Sequence, residues 1–169
     1  MATTARASEM GLTQQSMVAL LREVLYGPPK EFAFVLNPGD AGLLASLDKL
    51  SAEQASARPE GRSSIAAHTD HLAYSFTLLN RWLAGDKDAF SGSDYADSWN
   101  RQVVTDDAWS ALRKRLAEQA AAWVTAIGTP REWDPMTLNG AIGSIVHLAY
   151  HVGALRQIDA AARGPRATD

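Results

Sequence analysis

The chain has 169 residues, of which 46% are hydrophobic and 21% charged, and its formal net charge is -3 at pH 7. This composition is typical of a soluble globular protein and excludes disordered and fibrous classes. No concentrated basic segment supports nucleic-acid binding, and no apolar run is long enough to cross a bilayer. Because residues 1–10 lack a signal-peptide core, we expect a cytoplasmic protein. Cysteine is absent, so His, Asp and Glu are the available metal ligands.

The first third of the chain predicts one long helix followed by short elements. Apolar residues at helical spacing run from Leu12 to Tyr26, where Gly27-Pro28-Pro29 ends the pattern. Next come an apolar run that we interpret as a packed connection rather than a strand, a turn, and a short helix: residues 31–36, 37–40 and 41–50. Ser51 and Gln54 have the spacing of a capping box for one more helical turn.

The middle of the chain predicts a second long helix and a long connection. Ser63 or Ser64 is expected to cap a helix whose apolar stripe begins at Ile65 and ends before Gly85. Residues 86–104 are polar and aromatic without a period. We interpret them as a connection of the kind that can cover a site.

Two further helices are predicted in the last third. Thr105 is expected to cap one that ends at Gly128, and the last helix is expected to run from about Leu138 to Arg163. With the two earlier long helices, these predict an all-α fold, a four-helix bundle. The length favours a single domain over residues 1–169.

All four histidines fall in two close pairs, His68 with His71 and His147 with His151, each within a predicted helix. Residues three or four apart share a helix face, and imidazole is the commonest ligand for divalent transition metals. The alternative is that these histidines are buried packing residues, and a single pair would favour that interpretation. The second pair favours a metal site. Leu148 replaces the glutamate of the zincin motif, so a zincin protease is not expected.

Helical angles indicate which histidines are ligands. With a step of about 100° per residue, His147 and His151 lie on one flank of their apolar stripe, and His71 lies on the corresponding flank of the earlier helix. His68 lies nearer the centre of its stripe. We therefore predict three ligands, with His68 as a core residue or a hydrogen-bond partner of a ligand or substrate. Three ligands leave a coordination position open, which is typical of a catalytic metal.

Four other residues are weaker candidates for the same site. Tyr74, one turn from His71, could line the pocket, and Arg156 could bind an anionic substrate. Asp70 and Asp97 could orient imidazoles. For each of them, ordinary packing or solvation is the alternative. The five tryptophans are expected to be core residues and anchors of the covering segment.

Two stretches around the histidines resemble the DinB/YfiT-like family of metal-dependent bundle proteins. They are SIAAHTDHL at residues 64–72 and IVHLAYHVGALRQI at residues 145–158. The resemblance implies a four-helix bundle with long crossover connections, and a metal triad of His71, His147 and His151. It also implies zinc or nickel as the metal, and a homodimer. His68 departs from the simplest pattern of the family.

The resemblance further implies an enzyme that activates water or a small-thiol cosubstrate, as a hydrolase or as a thiol-dependent transferase or isomerase. A non-catalytic helical module that binds a small ligand or a protein partner is the alternative, because no clear acid or base accompanies the triad. Histidine alone suits zinc, nickel, copper and iron, so the residues themselves leave the metal open.

Overall fold

The computed structural model describes the backbone of residues 2–166 and the side chains of residues 11–59 and 61–166. Over this range the chain is helical, and no strand occurs in it. The α-helices are α1 (Ala2–Tyr26), α2 (Gly42–Asp48), α3 (Ala52–Ser56), α4 (Ile65–Leu83), α5 (Asp106–Gly128) and α6 (Pro135–Ile158). Single 3-10 turns lie at Pro59–Gly61, Asp97–Trp99 and Ala160–Ala162. The predicted all-α class is therefore confirmed.

The four long helices form the bundle. Helices α1 and α4 each pack against both α5 and α6, which places α1 and α4 at opposite corners. The short helices lie along the connection from α1 to α4, with α2 against α1 and α5, and α3 against α4 and α5. Large side chains that are at most 2% exposed fill the centre, among them Leu21, Phe76, Leu116, Trp123 and Leu148. Their burial supplies the main driving force for this packing.

Side-chain caps begin three of the helices where the sequence predicts them. The Ser64 and Thr105 hydroxyls accept the backbone N–H of the residue three positions on, at the starts of α4 and α5. At α3, Ser51 and Gln54 form the predicted capping box. Each cap satisfies a backbone donor that has no partner within its own helix.

Helix α6 is displaced from its predicted range. It begins at Pro135 rather than Leu138, because the Asp134 carboxylate accepts the N–H groups of Met136 and Thr137. A proline at the first helical position strengthens this start. The helix ends at Ile158 rather than Arg163, since Asp159 has extended backbone angles and instead caps the next 3-10 turn.

The other differences lie near the start of the chain. Helix α1 begins at Ala2 rather than Leu12, and α2 covers only Gly42–Asp48 of the predicted 41–50. Residues 31–36 are not a strand, as expected. The N–H groups of residues 34–36 donate to the Glu23 carboxylate of α1 at 2.6–3.1 Å. Since this side chain takes the donors that a neighbouring strand would otherwise use, the run stays an irregular connection. It is not packed as predicted, because Phe32, Phe34 and Val35 are 43–71% exposed and Leu36 alone of residues 31–36 is buried.

Candidate metal centre

Helices α4 and α6 run antiparallel and bring the two histidine pairs face to face. At one end, Gly140 allows the Trp82 ring to approach so closely that a Cβ at position 140 would lie 2.5 Å from it. Further along, His71 Nε2 lies 3.2 Å from His147 Nε2. Beyond that, His68 Nδ1 lies 2.8 Å from His151 Nδ1. The pairs predicted separately on two helices therefore form one cluster.

Three imidazoles in this cluster direct their Nε2 atoms towards one another. His147 Nε2 lies 3.2 Å from His71 Nε2 and 2.9 Å from His151 Nε2. The potential ligand atoms of these three residues all lie within 4.8 Å of each other. A tetrahedral zinc ion with Zn–N bonds of 2.0–2.1 Å needs nitrogens about 3.3 Å apart. The all-imidazole donor set and its spacing thus fit a divalent transition metal, and the structure brings the three predicted ligands together.

A hydrogen-bond relay selects the tautomer of His71. The Ser98 hydroxyl donates to the Tyr95 carbonyl oxygen at 2.6 Å, and His71 Nδ1 lies 3.0 Å from the same hydroxyl oxygen. Because the hydroxyl hydrogen is already used, Ser98 must accept from Nδ1–H of His71. That leaves the Nε2 lone pair free, which is the form that binds a metal.

His68 supports the cluster without joining the three convergent nitrogens. Its Nδ1 contacts Nδ1 of His151, the nitrogen opposite the one that faces the centre. When His151 presents a lone pair on Nε2, its Nδ1–H donates to His68 Nδ1. In the structure His68 is thus a buried hydrogen-bond partner of His151.

Burial keeps these imidazoles neutral. Exposure is only 9% for His68, 6% for His71 and 2% for His151, and His147 is half-buried. Desolvation lowers the pKa of His68 to about 4. Desolvation, with repulsion from neighbouring imidazoles, lowers the pKa of His71 to about 4 and of His151 to about 3, and desolvation also lowers the pKa of His147. Neutral imidazole is the form that ligates metal, so at neutral pH the cluster is in the protonation state that metal binding requires.

The connection between α4 and α5 covers the cluster, as predicted for residues 86–104. The Trp99 ring stacks on His71 with centroids 4.4 Å apart and meets His68 edge-on at 5.0 Å. The Tyr95 ring lies 5.8 Å from His71. These aromatic faces exclude water from one side of the imidazoles and leave the half-buried His147 as the more exposed edge.

A cleft of about 360 Å³ reaches this edge. It is lined by His71 and His147 and continues along α4 and α6 past Ser75 and Gly143, with Tyr95 on its wall. A molecule in the cleft would therefore contact two of the three convergent imidazoles.

The weaker candidates from the sequence lie outside the cluster. Asp70 pairs with Arg101 and Arg115, at 2.8 and 3.1 Å, and does not orient an imidazole. Asp97 is exposed and accepts a hydrogen bond from Asn100 within its own loop. Both carboxylates therefore bond to side chains other than the histidines, as the alternative of ordinary packing or solvation predicts.

Tyr74 and Arg156 also have other partners. The Tyr74 hydroxyl accepts the N–H of Asp94, so Tyr74 anchors the covering segment. Arg156 pairs with the buried Asp40 at 2.8 Å and is not among the residues that line the cleft. The suggestion that Arg156 binds an anionic substrate is therefore not supported.

Two residues of the site were missed from the sequence. Ser75 lies one helical turn after His71 on α4, and that spacing could have indicated it. Ser98 lies in the irregular 86–104 connection, where no periodic signal shows which side chain turns inward.

The fold and the cluster define an all-α four-helix bundle with a three-histidine group able to hold a metal ion. A family model described as the DinB superfamily matches residues 40–155. The chain belongs to the DinB superfamily. The matched range contains the whole histidine cluster and confirms the resemblance inferred from residues 64–72 and 145–158.

Comparisons with curated proteins and with solved structures found no match. Among the described residues, no helix combines the length and apolarity that a membrane span requires.

Proposed function

We propose that this protein is a metal-dependent enzyme in which His71, His147 and His151 hold a divalent ion. The observation that carries the proposal is the convergence of three buried or half-buried Nε2 atoms beside a cleft. With three protein ligands, a coordination position remains for water or substrate. The all-histidine donor set suits zinc, nickel, copper and iron, and the family resemblance narrows the proposed metal to zinc or nickel.

The proposed reaction class is hydrolysis, or transfer or isomerisation with a small-thiol cosubstrate. The metal would lower the pKa of a water molecule or thiol and polarise a carbonyl group. His68 and Ser98 would hold His151 and His71 in the ligating orientation. Of the residues that line the cleft, all in the described part of the chain, none is a carboxylate. With no carboxylate in the cleft to act as a general base, the metal itself would have to generate the nucleophile, by lowering the pKa of a bound water or thiol.

Metal content tests the proposal. We expect protein purified from medium containing zinc and nickel to hold about one divalent ion per chain, by elemental analysis and native mass spectrometry. A chelated sample should regain a higher melting temperature when zinc or nickel is returned. The proposal would be contradicted by protein that holds no stoichiometric metal and whose melting temperature does not change when zinc or nickel is added.

A non-catalytic helical module is the second candidate, and the lack of a carboxylate in the cleft favours it. Such a module would use the cleft to bind a small ligand or a partner without turnover. Full retention of cellular function in a variant carrying both His147→Ala and His151→Ala would support the module over the enzyme.

We propose that the protein is a homodimer formed through the outer faces of α1 and α6. Leu12, Ile142 and Val146 are exposed apolar residues that line a groove of about 470 Å³ between these helices. Ile142 has helical spacing with the buried Ile145 and Leu148 of α6 and is nevertheless 44% exposed. A contiguous apolar patch of this kind is typical of an interface.

The dimer is tested by light scattering coupled to gel filtration. We expect Val146→Glu to shift the wild-type dimer to a monomer, because it places a charge in the apolar contact. Val103→Glu is the matched control, since Val103 is an exposed valine in the 86–104 connection, outside the groove. The proposal would be contradicted if the wild type were a monomer, or if Val146→Glu remained a dimer as the control does.

A further inference from the structure

The covering segment, residues 86–104, lies over the histidines with little apolar support of its own. Residues 94–102 bring Trp99 and Ser98 to the cluster, and of these nine residues Ser98 alone is buried. The helices, in contrast, hold one another through buried apolar side chains. A segment with few buried apolar contacts opens more readily than the rest of a fold. The position of Trp99 therefore depends on the polar contacts that attach the segment to the bundle.

One of these contacts fixes the backbone of Trp99. Gln102 Nε2 donates to the Trp99 carbonyl oxygen at 2.7 Å, and Gln102 Oε1 accepts the Ser64 N–H at 2.8 Å. Ser64 is the residue that caps α4. A single amide side chain thus ties the backbone of Trp99 to the start of the helix that carries two of the four histidines.

A second contact is ionic and is made by Asp70 of α4. The Asp70 side chain is only 12% exposed, and each of its oxygens accepts from a different guanidinium. Arg101 Nε of the covering segment lies 2.8 Å from Oδ2, and Arg115 Nη1 of α5 lies 3.1 Å from Oδ1. Because Asp70 directly precedes His71, the segment is attached to α4 beside a residue of the histidine cluster.

Resting on the proposed function, we infer that Asp70 and Arg101 are positioning residues of the metal centre. Their ion pair holds the covering segment closed, so that Trp99 stays stacked on His71 and Ser98 keeps its hydrogen bond to His71 Nδ1. Opening of the segment admits water to the imidazoles and removes the partner that orients His71. Both changes weaken the hold of the cluster on a metal ion.

Amide hydrogen exchange of the metal-free protein, followed by NMR, tests the attachment itself. We expect Arg101→Gln to speed exchange of the Trp99 and Asn100 amides, which donate within the segment, by about three- to tenfold. Arg115→Gln is the matched control and should leave these amides unchanged. The two arginines have similar exposure, 50% and 43%, and each variant leaves Asp70 paired with the other guanidinium.

Release of zinc from the loaded protein into excess chromophoric chelator tests the effect on the metal centre. We expect Arg101→Gln to release zinc about three- to tenfold faster than the wild type, and Arg115→Gln to release it at the wild-type rate. Raising NaCl from about 0.05 to 0.5 M should bring the ratio of the Arg101→Gln rate to the wild-type rate towards one, because salt screens a partly exposed ion pair. General destabilisation would affect both variants.

The outcomes separate this inference from the proposed function. Protein that binds no zinc would overturn both. Protein that binds zinc but releases it equally fast from Arg101→Gln and Arg115→Gln would overturn only the positioning role. Equal exchange of the Trp99 amide in the two variants would show that Arg101 does not hold the segment closed, and a ratio of release rates that stays constant with salt would exclude the ion pair as the cause.

Discussion

Substitution of His147 or His151 by alanine is expected to lower zinc affinity by more than about 100-fold. Loss of a residue that merely orients a ligand typically costs about 10- to 100-fold, and loss of a ligand should cost more. His147 is the most sensitive position, because its Nε2 contacts the Nε2 atoms of both His71 and His151. Competition with a chromophoric chelator measures the affinity directly.

A graded series makes this prediction specific. His68→Ala and Ser98→Ala should each lower zinc affinity by about 10- to 100-fold, since they remove the hydrogen-bond partners of His151 and His71 without removing a ligand. Asn139→Ala, an exposed position on α6, should leave affinity unchanged. If His68→Ala reduced affinity more than His147→Ala, the assignment of the three ligands would be wrong.

The metal-free protein is expected to lose stability steadily as the pH falls from about 6.5 towards 4. An unfolded histidine has a pKa near 6.5, whereas the pKa values of His68 and His71 in the folded protein are about 4 and that of His151 is about 3. Below pH 6.5 the unfolded chain therefore binds protons that the folded chain does not. The contribution of neutral imidazoles is fully present above about pH 6.5 and declines below it.

Urea unfolding of chelated protein at several pH values measures this slope. All four histidines of the chain lie in the cluster, and unperturbed carboxylates titrate lower, so the range from about pH 6.5 to 5 reports mainly on these imidazoles. His68→Gln, which removes one titrating group, should flatten the curve over that range. A free energy of unfolding that is constant from pH 6.5 to 5 would contradict the buried, neutral state of the cluster.

Local sequence signals were sufficient for much of the fold. Ser51, Ser64 and Thr105 cap helices where the pattern predicts, because a cap depends on residues within one turn. The ends of α6 differ from the predicted ones because Asp134 caps its start and Asp159 caps the 3-10 turn that follows it. Ile142 has the spacing of a core residue and yet is exposed, since periodicity defines a helix face without showing what covers it.

For the site, too, some features follow from the sequence and others depend on the tertiary structure. The sequence by itself determined the two histidine pairs, their helices and the helix faces they share, because these depend on spacing along one helix. Only the tertiary structure decided that Nε2 of His71 faces His147, that His68 turns to Nδ1 of His151, and that Ser98 reaches the cluster from a loop. These contacts depend on how α4, α6 and the connection pack, and residues far apart in the chain carry no local signal of that packing.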